Sequence, residues 1–85
     1  MELILYSKPG CHLCEGVISK LEDVQNLDLN VEIRDITTRA DWWQAYEYEV
    51  PVLYFLHENG PTLLPRLSPR ASVSQWEKML RQYIN

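Results

Sequence analysis

The sequence has no apolar run approaching transmembrane length, no dense basic stripe, no internal repeat or low-complexity tract, and no cysteine beyond Cys11 and Cys14. The first absence argues against a membrane-spanning helix. The second argues against nucleic acid as a partner, because such proteins gather Lys and Arg on one surface. The opening "MELILYSK" carries an acid at Glu2 and only a very short apolar stretch, unlike a secretory signal. The expectation is a cytoplasmic protein that contacts neither membrane nor nucleic acid. In the cytosol thiols are kept reduced, and a lone cysteine pair there is more often catalytic or metal-binding than a structural staple.

What is present fits one domain, residues 1–85, with one modest core. Hydrophobic residues at 46% and charged residues at 24% place the chain among folded globular proteins and not disordered ones. The charge is uneven. Residues 1–60 carry eleven acids against four bases, a net −7, whereas residues 61–85 carry four bases against one acid, a net +3. The basic C-terminal part suits either a solvated helix face or an acidic small molecule.

The hydrophobic pattern alternates between strand and helix. "LILYS" (Leu3–Ser7) is an apolar run stopped by "KPG", a buried strand followed by a loop. Leu13, Val17, Leu21 and Val24 then recur at helical spacing, predicting an amphipathic helix from about Cys11 to Gln25. "LNVEIRDI" alternates as a half-exposed strand. In "TTRADWWQAYEY", Thr37 or Thr38 is a cap candidate, and Trp42, Ala45 and Tyr46 lie on one face of a short helix. "VPVLYFLHENGPTLLPRL" is two β-rich runs around Asn59-Gly60, a two-residue hairpin signal. Ser72 and Gln75 stand in capping-box spacing before a last helix with Val73, Trp76, Leu80 and Tyr83 as its stripe. The expected class is α/β in the order β-α-β-α-β-β-α, a four-stranded mixed sheet flanked by helices.

Cys11 and Cys14 are three apart at the predicted helix start. Residues i and i+3 share a helix face, and their Cα separation of about 5 Å suits a disulfide. The first cysteine sits at the positive end of the helix dipole, which favours its thiolate and makes it the candidate nucleophile. The second, one turn in, is the candidate resolving thiol. Two other readings stand beside this one. A tetrahedral metal site needs four ligands, and the chain offers two cysteines plus His12, pointing away at the next position, and His57 near a strand end. An inert pair in a fold without redox chemistry is the third.

"YSKPGCHLC" resembles the active-site stretch of glutaredoxins, and "EVPVLYF" is similar to the cis-proline loop of the same superfamily. The element order matches a minimal thioredoxin-like (glutaredoxin-like) fold over essentially the whole chain. The resemblance implies that Cys11 is the nucleophile and Cys14 the resolving thiol of a thiol–disulfide oxidoreductase. It implies that Lys8 stabilises the thiolate and meets a glutathione carboxylate. It also implies that Val50, before a cis Pro51, faces the cysteine pair and offers its backbone to substrate. Tyr6 matches a strand-end tyrosine whose expected role is packing. No cofactor is required by this reading. The expected partners are a protein or small-molecule disulfide and a reductant that the sequence does not name, acting on a monomer.

The departures from the family pattern are as informative. His12 and Leu13 stand between the cysteines where glutaredoxins usually carry Pro and Tyr. A histidine there either favours the thiolate and makes the pair more oxidising, or is an exposed residue of little effect. The family's glutathione turn has paired glycines and an acid before the last helix. The matching "RLSPRAS" has neither, and Arg70 puts a positive charge where the family recognises glutathione's amino end. Glutathione as a cosubstrate therefore rests on the family resemblance and not on these residues, and an acidic partner gains weight. Thioredoxins place Trp before the first Cys and a buried acid six residues upstream of it; here those positions are Gly10 and Leu5. Two rival roles of the same fold remain, an iron–sulfur cluster carrier and a non-enzymatic peptide-binding module.

Overall fold

In the computed structural model, which describes residues 1–84, strand β1 (Glu2–Ser7) leads to helix α1 (His12–Asp23) and strand β2 (Asn30–Asp35). A 3-10 turn over Ile36–Thr38 and helix α2 (Ala40–Tyr46) follow, then strands β3 (Val52–His57) and β4 (Gly60–Leu63) and helix α3 (Val73–Arg81). The sheet order is β2-β1-β3-β4, with β1 and β2 parallel and the other two pairings antiparallel. This is the expected mixed four-stranded sheet of a minimal thioredoxin-like fold.

β1 is central, and its side chains alternate between two cores. Leu3 and Leu5 join Leu53, Leu21 of α1 and Trp76, Met79 and Leu80 of α3. Ile4 and Tyr6 point the other way, to Ile36 and Val52, with Trp42 and Tyr46 of α2 packed against them. A strand covered on both faces reads as a continuous apolar run, which is why "LILY" shows no alternation. Its central burial organises the sheet: fully burying one Leu is worth about 1.5–3 kcal/mol.

Helix boundaries follow local chemistry. The predicted capping box forms: Gln75 N–H donates to Ser72 Oγ at 3.1 Å, and Ser72 N–H donates to Gln75 Oε1 at 2.7 Å. Two local expectations are corrected. Neither Thr37 nor Thr38 caps α2. Asp35 caps the 3-10 turn instead, taking both the N–H and the hydroxyl of Thr37, and α2 starts after Arg39 without a side-chain cap. Both threonines lie inside the 3-10 turn, where the Thr37 hydroxyl donates to the Asp35 carboxylate and the Thr38 hydroxyl to the Asp35 carbonyl, so neither is free to cap α2. The hairpin turn also lies one residue earlier than Asn59-Gly60. His57 pairs with Gly60, so Glu58 and Asn59 form the turn. Among the described residues no non-glycine has positive φ, which excludes a type I′ turn here; Gly60, at φ 101°, takes the left-handed conformation at the start of β4.

Candidate active site

Topology alone brings the two motifs together. β1 and β3 run antiparallel with Tyr6 opposite Val52. The loop leaving β1 and the residues entering β3 therefore emerge at one end of the sheet. Lys8–Cys11 and Val50–Pro51 are those segments. The Val50–Pro51 peptide bond is cis.

Gly10, at φ 76°, turns the chain into α1, and Cys11 N–H donates to Lys8 O at 3.3 Å. Cys11 is the N-cap residue. Its backbone is extended (φ −88°, ψ 100°), and its Sγ accepts the Cys14 N–H at 3.1 Å. A sulfur thus occupies the place that Ser or Asp usually fills, facing the free N–H groups of the first turn. Cys11 and Cys14 are joined as a disulfide with Cα atoms 5.3 Å apart. Cys11 is partly accessible while Cys14 is completely buried. The accessible surface of the pair therefore belongs to Cys11.

The other predicted site residues separate into two groups. Pro51, His12 and Leu13 line one cavity of about 290 Å³ between α1, the proline loop and residues 64–69. His12 is exposed, with Nδ1 3.5 Å from Glu15 Oε2. Lys8 turns away toward α2: its ammonium donates to Glu47 O at 3.1 Å and lies 5.9 Å from the centre of the Trp43 ring. Val50 packs into the α2-side core, with its N–H bonded to Tyr46 O. Arg70 is exposed and does not line the cavity. Its N–H donates to Ser68 Oγ within a turn closed by Ala71 N–H to Ser68 O.

Sequence reasoning missed Arg66. It lines the cavity, and its guanidinium donates to Glu49 O at 2.5 Å, beside the proline loop. No sequence motif marks a cation whose partner is a carbonyl seventeen residues away. Tyr6 packs as expected, stacked on Tyr46 with centroids 4.2 Å apart and accepting a hydrogen bond from Arg34. Next to it, the hydrogen bond with Tyr54 and then burial push the Tyr46 phenol well above its ordinary value. Among the described residues, no three His, Cys, Asp or Glu side chains cluster as a metal site would need.

The site is thus an N-capping cysteine joined by a disulfide to a buried cysteine at one end of a thioredoxin-like sheet. Residues 2–81 match the family model described as Glutaredoxin-like domain (DUF836), and the chain belongs to that family. Solved structures agree on the fold. A structural-genomics target protein from X. campestris is 23% identical, with 94% of this chain and 96% of that chain covered and a TM-score of 0.63. Thioredoxin 1 from Thermosipho africanus TCF52B is 19% identical over 99% of this chain and 94% of that one, at a TM-score of 0.66. A malarial protein is 11% identical over 99% and 97%, at 0.67. No curated protein matches significantly.

Proposed function

We propose that the protein is a thiol–disulfide oxidoreductase in which Cys11 attacks and Cys14 resolves. The observation that carries this reading is the asymmetry of the pair: Cys11 caps the helix and is accessible, whereas Cys14 is buried one turn in. The helix end stabilises charge on the Cys11 sulfur, which raises the thiolate fraction near neutral pH.

The step balances without a cofactor. The Cys11 thiolate attacks one sulfur of a substrate R–S–S–R′, forming a Cys11–S–S–R bond. The substrate S–S bond breaks, and R′–S⁻ leaves and takes up a proton. Cys14 loses its proton and attacks Cys11 Sγ, closing the intramolecular disulfide and releasing R–S⁻. Two electrons pass from the dithiol to the substrate, and an external thiol reductant returns them. Leu5 occupies the position of the thioredoxin acid and is completely buried, so water or the departing thiolate accepts the Cys14 proton. Glutathione is a poor fit to this reading, because Lys8 is engaged with the α2 backbone and the turn before α3 carries Pro69 and Arg70.

The test uses the reduced protein and an aromatic disulfide that releases a coloured thiolate. The wild type should release two equivalents and end as the Cys11–Cys14 disulfide. Cys14→Ser should release one and stop as a mixed disulfide on Cys11. Cys11→Ser should react far more slowly, and reaction at an undiminished rate would refute the assignment.

A further inference from the structure

The cavity that starts at His12, Leu13 and Pro51, next to but not lined by the cysteines, has a directional character that disulfide exchange alone does not require. Its floor is apolar, from Leu5, Leu53 and Trp76. Its wall along α1 is interrupted at Gly16, where a Cβ would meet no heavy atom within 4 Å. Glycine is unfavourable inside a helix, and here it leaves a gap in the wall, one turn past Cys11. Lys20 stands farther along the same wall and Arg66 on the opposite side, and no acidic side chain lines the space among the described residues. This positive lining lies in a protein of net charge −4.

We propose that the groove takes an extended polypeptide disulfide bearing an acidic residue about four positions from its cysteine, selected by Lys20. The inference rests on the redox reading and adds the substrate class. The distance sets the spacing. Lys20 lies nine residues beyond Cys11. At about 1.5 Å per helical residue that is roughly 13 Å along the groove. An extended chain covers about 3.3 Å per residue, so the carboxylate belongs about four residues from the reacting sulfur. Apolar residues between them meet the floor, and Gly16 gives their side chains room.

The experiment compares two synthetic peptides, each with one cysteine held as a mixed disulfide with the coloured aromatic thiol. They are identical except for Asp or Lys four residues from the cysteine. Attack by Cys11 on the peptide sulfur releases the aromatic thiolate, and Cys14 then frees the peptide thiol. The wild type should react roughly tenfold faster with the Asp peptide at low salt, the two rates converging at high salt as screening removes the charge term. Lys20→Glu should reverse the order. Gly16→Met, which keeps a good helix former in open space, should lower the peptide rate several-fold relative to the free aromatic disulfide. Equal rates for the two peptides, or a preference unchanged by Lys20→Glu, would overturn the proposal while leaving the redox reading intact. Failure of the wild type to release thiolate from any probe would overturn both.

Discussion

The two faces of the sheet are built differently. One is covered by α1 and α3, with completely buried aliphatic residues, Leu5 and Leu80, between them. α3 is fixed at its start by a full capping box. The other face is covered by α2, seven residues long, uncapped by any side chain and with no fully buried residue of its own. There Ile4, Ile36 and Val52 are joined by aromatic and cation contacts: Tyr6 edge-on to Trp42 and stacked on Tyr46, with the Arg34 and Arg39 guanidiniums over Trp42. Aliphatic burial makes a rigid platform for the cysteines, because it is close-packed and free of exchangeable partners. The aromatic face is tied to the site loops through Lys8 on the Glu47 carbonyl and through the Val50 N–H on the Tyr46 carbonyl.

The largest break in this contrast should come from Leu80→Ala, which opens a cavity in the aliphatic core and should cost about 2–5 kcal/mol in chemical denaturation. Ser72→Ala removes the α3 cap and should cost about 1 kcal/mol. No comparable cap exists on α2, so its amides should exchange with solvent faster than those of α1 and α3. Equal protection of all three helices would contradict the contrast. The smallest effect concerns alkaline pH. The Tyr46 phenol is raised above its ordinary 10.0 in the fold by the Tyr54 hydrogen bond and burial. A raised group contributes stability that is fully present below the unfolded value and lost as pH climbs above it. Stability should therefore decline above about pH 10, and Tyr46→Phe should flatten that decline.

Local signals were legible in the sequence because their causes are local. The apolar run of β1, the stripe of Val17, Leu21 and Val24 (but not Leu13, which is exposed) and the Ser72–Gln75 box each rest on neighbours within one or two turns. The Cys11–Cys14 pair and Pro51 were recognised separately, and the antiparallel β1–β3 pairing brings their segments to one end of the sheet. The misses were competitions and long-range partners. Asp35 caps the 3-10 turn and α2 is left without the cap expected from Thr37 or Thr38, and Gly60 shifted the turn to Glu58-Asn59. Lys8 and Arg66 bond to backbone carbonyls far away in sequence, at Glu47 and Glu49. Any residue could supply such an acceptor, so no pattern announces it.

The central claim is the asymmetry of Cys11 and Cys14, and limited alkylation tests it most directly. The reduced protein is given less than one equivalent of iodoacetamide at mildly acidic pH, and the labelled site is read by peptide mass spectrometry. Label confined to Cys11 is the predicted result, because only that sulfur is both accessible and held at the helix N-terminus. Equal labelling, or label chiefly on Cys14, would contradict it.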